Sequence, residues 1–175
     1  MSFPKYLDSE IKVRPLTFRD IVQFLNLRNE VEREALFMPT DREGRRELVL
    51  YAVFKVFWHR NRIVNLVAVK SNEIVGFATV IFGRFRKFKG NAYIANVSVK
   101  SNHRGRGIGK DILREVEGLA KFKQARRLEL EVFAKNVAAL KMYKKLGYQV
   151  EGVKRRAVES HDGFDDIIFM AKFLN

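Results

Sequence analysis

A glycine-rich turn between a strand and a helix is the feature that most constrains the fold of this chain. The turn runs Arg104-Gly105-Arg106-Gly107-Ile108-Gly109, after the alternating apolar run from Tyr93 to Val99 and directly before a helical pattern. The first amides of a helix have no intrahelical acceptor and lie at the positive end of the helix dipole. Because glycines let an anion approach the backbone closely, the turn predicts a phosphate-binding site.

The spacing of the glycines argues against the two commonest nucleotide-binding loops. A dinucleotide fingerprint needs G-x-G-x-x-G, whereas these glycines stand at 105, 107 and 109. A triphosphate-binding loop needs G-x-x-x-x-G-K-[ST], but the segment Gly105 to Lys110 is one residue short and Asp111 replaces the metal-binding hydroxyl. For the turn taken alone, a tight structural connection is the remaining alternative.

Length and composition indicate one domain. The chain has 175 residues, of which 47% are hydrophobic and 12% aromatic, enough to bury one core. We therefore expect a single domain over residues 1–175. The absence of cysteine excludes disulfides, cysteine metal sites and a covalent cysteine intermediate. Because no apolar run approaches about 18 residues and no leader with a cleavage site is visible, we expect a cytoplasmic protein with no membrane partner.

The net charge of +14 has two interpretations. Basic side chains can form an ordinary solvated surface, or they can face nucleic acid. The densest basic run is 84–89, between Gly83 and Gly90, in what we interpret as a hairpin loop. Basic residues interleaved with aromatics can stack on single-stranded bases, so proximity to RNA or the ribosome is an accessory hypothesis.

Periodicity and turn residues predict the elements around the glycine turn. Thr17-Phe18-Arg19-Asp20 resembles a helix N-cap with an acidic third position. Strands are expected at 11–14, 63–70, 74–82, 91–99, 128–132, 148–152 and 167–173, and helices at 17–27, 43–58, 108–120 and 136–146.

Two ordered blocks of sequence resemble the motifs of one enzyme superfamily. Val97-Ser98-Val99, followed after four residues by Arg104-x-x-Gly107-x-Gly109, resembles the pyrophosphate-binding motif of the GNAT superfamily of acyl-CoA N-acyltransferases. A second block runs from Leu128 to Asn136 and continues with Ala139, Tyr143, Leu146, Gly147 and Tyr148. The resemblance covers roughly residues 91–150. It implies an α/β GNAT fold, in which a mixed, mostly antiparallel central sheet is splayed where the coenzyme enters and carries helices on both faces.

The resemblance implies an enzyme that transfers the acetyl group of acetyl-CoA directly to a primary amine, through a tetrahedral intermediate. The backbone of Val97, Ser98 and Val99 would then pair with the pantetheine arm, and the region of Val99 would polarise the thioester. The coenzyme pyrophosphate would be held by the turn, with charge added by its two arginines; these residues are Arg104, Gly105, Arg106, Gly107, Ile108, Gly109 and Lys110. Family members often form homodimers.

Three further residues receive roles from the same resemblance. Tyr143 would be the general acid for the departing thiolate, although it could equally be a core aromatic that shares a helix face with Ala139. Glu131 precedes Tyr143 by twelve residues, the spacing of base and acid in the ribosomal-protein alanine acetyltransferase group; an exposed strand carboxylate is the alternative. Asn136 would bind the coenzyme as well as cap a helix, or only cap the helix.

The acceptor stays open at this point. A protein N-terminus, including that of a ribosomal protein, is the first acceptor class, and a small amine or amino acid is the second. A non-catalytic module that binds acyl-CoA or RNA is the alternative from a different class. We interpret the acids of the tail, residues 160–166, as a turn before the last strand. His59, His103 and His161 lack ligand spacing, so we expect no metal site.

Overall fold

The computed structural model of the chain describes residues 11–34, 62–83, 90–160 and 163–174. Single 3-10 turns lie at Phe18–Asp20 and Ser101–His103. The helices are α1 (Ile21–Glu34), α2 (Ile108–Phe122) and α3 (Val137–Lys145), and the strands are β1 (Ile11–Pro15), β2 (Ile63–Lys70), β3 (Glu73–Phe82), β4 (Asn91–Val99), β5 (Arg127–Phe133), β6 (Gln149–Ser160) and β7 (Gly163–Phe173). Among the described helices, none is long and apolar enough to cross a membrane.

The described strands form one mixed sheet in the order β1-β2-β3-β4-β5-β7-β6. Neighbouring strands are antiparallel except β4 and β5, which are parallel and pair only between Asn91–Ile94 and Arg127–Leu130. Beyond those pairs β4 continues along β3 to Val99, while β5 continues along β7 to Phe133. The two strands therefore separate and leave a wedge-shaped gap, which confirms the expected splayed, mostly antiparallel sheet.

The two faces of the sheet carry separate apolar cores, so the expectation of helices on both faces is confirmed. On one face, α1 packs Phe24 and Leu27 over Val67 and Phe77. The rings of Phe24 and Phe77 meet edge to face, with centroids 5.2 Å apart. The other face carries α2 and α3. Five side chains of α2 are buried there: Ile108, Ile112, Leu113, Val116 and Ala120.

A β-bulge in β4 changes which side chains face which helix. Thr79 lies opposite Asn96 but Val80 lies opposite Ile94, so Ala95 is an extra residue with no partner on β3. Side chains alternate along a strand, and one inserted residue reverses their phase. Ile94 before the bulge and Val97 after it consequently both pack in the α2 core, whereas Asn96 points to the α1 face.

The predicted cap at the start of the first helix is confirmed around Asp20. Its carboxylate accepts hydrogen bonds from Arg14 Nη1 at 2.5 Å and Nη2 at 2.9 Å, and from the backbone N–H and hydroxyl of Thr17 at 2.8 and 2.6 Å. These bonds, that from Arg14 above all, hold the pKa of Asp20 well below its usual range although burial opposes the shift. The helix itself runs on to Glu34 rather than ending at Leu27.

The last two strands are longer than the sequence predicts. β6 continues to Ser160 instead of ending at Gly152, and β7 begins at Gly163 instead of Ile167. The reason is that β6 lies at the edge of the sheet and shifts register twice, after Val150 and after Lys154. Each shift breaks the alternation that marks a strand in the sequence.

The acids of the tail are placed differently from the expected turn. Asp165 and Asp166 lie within β7, and Asp165 is buried. Its carboxylate accepts the backbone N–H of Lys135 at 3.3 Å and that of Asp166 at 2.8 Å. These acids therefore hold the loop after β5 against β7. The helix expected at 43–58 and the basic loop at 84–89 lie outside the described residues.

Candidate active site

A cavity of about 240 Å³ occupies the gap between β4 and β5. The β4 segment from Tyr93 to Ser98 forms one wall, and the β5 segment from Glu131 to Phe133 forms the other. Three residues of α3 line it from above: Ala139, Met142 and Tyr143. A second cavity of about 270 Å³ lies between α1 and the β2–β3 turn and contains none of the sequence-predicted site residues.

The cavity connects the two faces of the sheet. Tyr143 packs in the core beneath α2 and α3, together with Leu130 and Val132 of β5. Glu131 alternates with those two residues and therefore faces the opposite side, where it is exposed. Ser98 lies opposite Phe77 in the register and shares the face of Glu131. Two reactants can thus meet in the gap from opposite faces of the sheet.

The glycine turn has the geometry that anion binding requires. Gly105 and Gly107 have φ values of +77° and +87°, and a Cβ at either position would meet nothing within 4 Å. The backbone conformation, and not crowding, therefore favours glycine at both positions. Gly107 is the N-cap residue of α2, and no side chain caps the helix. The amides of Ile108 and Gly109 are consequently presented to an incoming ligand, so these residues fit a pyrophosphate group.

Basic side chains surround this turn. Arg104, Arg106 and Lys110 are exposed. Arg104 Nε also donates to the carbonyl of Val99 at 2.9 Å, which ties the turn to the end of β4. The acid in the first turn of α2, Asp111, is paired with Arg114 at 3.0 Å. The field at the helix N-terminus therefore favours an anion.

The backbone of β4 is open along the gap. The Lys100 N–H donates to the carbonyl of Val75 on β3, so alternation turns the N–H groups of Val97 and Val99 to the opposite edge. No described strand pairs with that edge after Ile94. The side chains of Val97 and Val99 pack against the core. Their N–H groups are thus available for a ligand that lies along the strand, whereas the carbonyl of Val99 already accepts from Arg104.

Tyr143 combines a buried ring with an accessible hydroxyl. The ring is 7% exposed and meets Tyr148 edge to face, with centroids 5.6 Å apart. Burial raises the pKa of Tyr143 to about 12, so the phenol stays protonated at neutral pH. Among the described residues no hydrogen bond occupies the hydroxyl, and no buried side-chain oxygen lacks a partner. The hydroxyl therefore opens to the cavity while the ring belongs to the core.

Glu131 lies on the exposed face of β5, opposite Phe169 on β7, and borders the cavity. The neighbouring acid on that face, Glu129, accepts from Asn91 Nδ2 at 2.8 Å and from Arg127 Nε at 2.6 Å. No cation among the described residues pairs with Glu131. Its carboxylate therefore forms no salt bridge with the residues that the structure describes.

Asn136 caps α3, since its Oδ1 accepts the backbone N–H of Ala139 at 3.1 Å. The same residue lines the cavity. The capping role is thus established. The contact with the coenzyme stays a prediction, for which the Nδ2 of the same side chain is still available.

Several residues of the cavity were missed by the sequence reasoning. Asn96 and Tyr93 lie on the β4 wall, and Val158 and Ile167 close the side toward β6 and β7. The bulge at Ala95 and the register shifts of β6 carry no sequence signal that we recognise, so the facing of these side chains could not be predicted. Of the residues named in this paragraph, only Met142 could have been predicted from the sequence, because it is adjacent to Tyr143 in the second motif.

The described residues contain no group of three histidine or acidic side chains arranged for a metal. His103 Nδ1 lies 2.6 Å from Asn102 Oδ1, whereas His59 and His161 lie outside the described residues.

Comparison with protein families identifies the same segment. The model of the Acetyltransferase (GNAT) family matches residues 24–148, which contain the glycine turn, Glu131 and Tyr143. A Bacillus subtilis (strain 168) protein whose name assigns it to the ribosomal protein bS18 alanine N-acetyltransferases is 35% identical over 85 residues, 49% of this chain and 55% of that protein. The L-amino acid N-acetyltransferase AaaT of Escherichia coli (strain K12) is 29% identical over 114 residues, 65% of this chain and 70% of AaaT.

A third relative, the spermine/spermidine N(1)-acetyltransferase of Bacillus subtilis (strain 168), is 27% identical over 86 residues, 46% of this chain and 55% of that enzyme. The matches thus span little more than half the length of two of these three relatives.

Solved structures show the same fold. The ribosomal-protein-alanine N-acetyltransferase from Brucella melitensis has a TM-score of 0.80 and 25% identity, covering 93% of this chain and 99% of that one. A GNAT family acetyltransferase from Streptococcus pneumoniae has a TM-score of 0.83 and 21% identity, covering 95% and 100%. The yncA protein of Salmonella typhimurium, solved with acetyl-CoA, has a TM-score of 0.79 and 18% identity, covering 94% of each chain.

Proposed function

The chain belongs to the acetyltransferase (GNAT) family, and we propose that it is an N-acetyltransferase whose acceptor is the α-amine of a protein N-terminus. Acetyl-CoA supplies the acetyl group as an activated thioester. One observation carries the proposed acetyl transfer: Glu131 and Tyr143 line a single cavity from opposite faces of the sheet. A base for the amine and an acid for the leaving group therefore flank one reaction volume.

The coenzyme lies between the glycine turn and the gap in this proposal. Amides of Gly105 to Gly109 hold the pyrophosphate, since the Lys110 N–H already donates to the carbonyl of Gly107. Arg104, Arg106 and the side chain of Lys110 add charge, and the backbone of Val97, Ser98 and Val99 pairs with the arm. The gap narrows toward the last β4–β5 pair, Ile94 with Leu130, and Glu131 follows directly. Of the two N–H groups that face the gap, that of Val97 lies closer to this last pair, and so to Glu131, than that of Val99. We therefore assign the polarisation of the thioester carbonyl to the Val97 N–H.

Glu131 takes the proton that the acceptor must lose. An α-amine has an ordinary pKa near 8, so most acceptor molecules arrive as ammonium ions that cannot attack a carbonyl. An exposed carboxylate without a cationic partner can receive that proton directly or through one water. Its position on the face opposite Tyr143 fixes the side from which the acceptor enters.

Tyr143 stabilises the leaving thiolate. Because its pKa is about 12 and that of a thiol is about 8.5, complete proton transfer to sulfur is uphill. The phenol therefore acts first as a hydrogen-bond donor to the charge that develops on sulfur, in a site that its own ring keeps dry. Below about pH 11 the rate should show no alkaline limb from this group.

The acceptor class rests on the named activities of similar proteins. A protein N-terminus is the first choice, supported by the relatives named for alanine N-acetylation of a ribosomal protein. An amino acid or small amine is the second, supported by the longer match to AaaT. A homodimer and a cytoplasmic location stay predictions. Proximity to the ribosome through residues 84–89 also stays a prediction, since those residues lie outside the described ones.

The proposal is tested by thiol release from acetyl-CoA with N-terminal peptides, amino acids and polyamines as acceptors. Tyr143→Phe and Glu131→Gln should each lower kcat by about 100-fold, the scale of general acid–base catalysis. Tyr148→Phe and Glu115→Gln are the matched controls, because neither residue lines the cavity. Coenzyme binding without turnover of any acceptor would instead establish a non-catalytic module, and full activity of Tyr143→Phe would remove it from the mechanism.

A further inference from the structure

A row of polar side chains crosses the α1 face of the sheet and ends at the cavity. Asn65, Thr79 and Asn96 lie opposite one another on β2, β3 and β4. Asn65 is buried at 8% exposure, and Thr79 Oγ1 donates to its Oδ1 at 2.7 Å. The neighbouring positions on this face, Val67 and Phe77, belong to the apolar core under α1. Asn65 is buried while Thr79 and Asn96 are half-buried, and polar groups in such surroundings are costly unless their hydrogen bonds are used.

The bulge at Ala95 places the last member of this row. Without the extra residue Asn96 would point into the core beneath α2, because a shift of one residue turns a side chain to the other face. With it, Asn96 shares a face with Glu131. Both residues come within two positions of the last β4–β5 pair, Ile94 with Leu130, so they flank the narrow end of the gap.

The hydrogen bond between Thr79 and Asn65 fixes which groups of the row donate and which accept. A threonine hydroxyl has one proton, and Thr79 donates it to Asn65. Toward Asn96, Thr79 can therefore only accept. Among the described residues no hydrogen bond holds the Asn96 amide. If that amide turns its Nδ2 to Thr79 when the acceptor binds, its Oδ1 faces the cavity.

We propose that Asn96 Oδ1 accepts the first peptide N–H of the acceptor, which makes this site selective for peptide N-termini. The inference rests on the proposed acetyl transfer at the same cavity. In a peptide that N–H belongs to the second residue, directly after the one that bears the α-amine. With the α-amine at Glu131, the N–H of the second residue lies further along the same face, toward Asn96. A free amino acid has a carboxylate there, which an amide oxygen repels, and a polyamine has a methylene. Asn96 is thus a specificity-determining residue, and Thr79 is its positioning residue.

The test compares acceptors that differ by one atom. The first is a short peptide amide that begins with alanine, and the second is its depsipeptide, in which an ester oxygen replaces the first peptide N–H. Wild-type enzyme should use the peptide with about tenfold higher kcat/KM, the scale of one neutral hydrogen bond. Asn96→Ala should use the two equally. Asn26→Ala, an exposed asparagine on α1, is the control and should keep the wild-type ratio.

Thr79→Val tests the positioning role, because it keeps the volume and removes the hydroxyl. It should shrink the peptide preference to a fewfold, because Asn96 then lacks the partner that orients its amide.

Each other outcome decides against part of this reasoning. Equal use of peptide and depsipeptide by the wild type would overturn the role of Asn96, as would an unchanged ratio in Asn96→Ala or a preference for free alanine. The wild-type comparison alone decides if Asn96→Ala does not fold. Absence of turnover with every amine would overturn the proposed function, and with it this inference.

Discussion

Alanine substitutions at two glycines of α2 test whether the glycine turn is built to bind the pyrophosphate. Gly107, at the start of α2, has φ of +87°. An L-residue in that conformation costs about 1–2 kcal/mol, whereas replacing glycine by alanine lowers the entropy of the unfolded chain and returns about 0.4–1 kcal/mol. A Cβ at this position meets nothing within 4 Å, so no steric cost is added. Gly107→Ala should therefore lower the free energy of unfolding by about 1 kcal/mol.

Gly118 is the matched control on the same helix. It is exposed in the interior of α2, without a positive φ, and its Cβ would also meet nothing within 4 Å. Alanine is favoured over glycine in a helix interior by about 1 kcal/mol, so Gly118→Ala should raise the free energy of unfolding. Urea unfolding at constant slope measures both changes, and the two variants should differ in Tm by about 4–8 °C.

The same pair separates stability from ligand binding. Calorimetry should show weaker acetyl-CoA binding in Gly107→Ala, because the strained residue turns the amides of Ile108 and Gly109 away from the ligand. Gly118→Ala should bind acetyl-CoA with wild-type affinity. Two results would refute the reasoning: a shift of both variants in the same direction, or wild-type coenzyme affinity in Gly107→Ala.

Three other substitutions test the fold around the site. Asp20→Asn should lower the free energy of unfolding by about 2 kcal/mol at pH 7, since Arg14 loses its carboxylate. The folded pKa of Asp20 is lowered, so this difference should shrink in urea titrations as the pH falls below about 4, and a constant difference would contradict the assignment. Asn136→Ala should lose about 1 kcal/mol with the cap of α3, a loss that Asn136→Asp should largely restore in thermal unfolding. Phe77→Ala should cost about 3–5 kcal/mol by urea unfolding, with the partly exposed Phe169→Ala as the milder control; equal losses would mean that the α1 core is not where the structure puts it.

The unit from β4 through α2 could be predicted closely from the sequence. Its strand alternates up to the bulge at Ala95, its turn carries glycines that adopt positive φ, and the apolar spacing of its helix marks the buried face. Local signals suffice there because each residue's neighbours along the chain decide its conformation. The meeting of Glu131 and Tyr143 in one cavity was implied by the resemblance to the superfamily rather than by any local pattern.

What could not be predicted depends on contacts between distant strands. The bulge at Ala95 is a mismatch between β3 and β4, and nothing in the sequence of β4 alone reveals it. The sequence predicts too short a β6 because residues 151–159 are mostly polar or charged and, in the described sheet, the strand pairs only with β7. It predicts a turn at Asp165, because the burial of that residue depends on the N–H of Lys135, thirty residues away. The direction of the Asn96 side chain depends in the same way on pairing with another strand.

The short seam between β4 and β5 divides the sheet into two halves that follow each other along the chain. Strands β1 to β4 with α1 and α2 precede residue 123, and β5 to β7 with α3 follow residue 126. Within the sheet, four residue pairs of β4 and β5 join the halves, and among the described residues the core under α2 and the ion pair between Lys172 and Glu117 also cross between them. As the chain leaves the ribosome, the first half can assemble before β5 is synthesised, since domains and their local contacts form in the order of synthesis. Closing the seam is then the last step, and fragments cut at residues 123–126 should reassociate into an active pair.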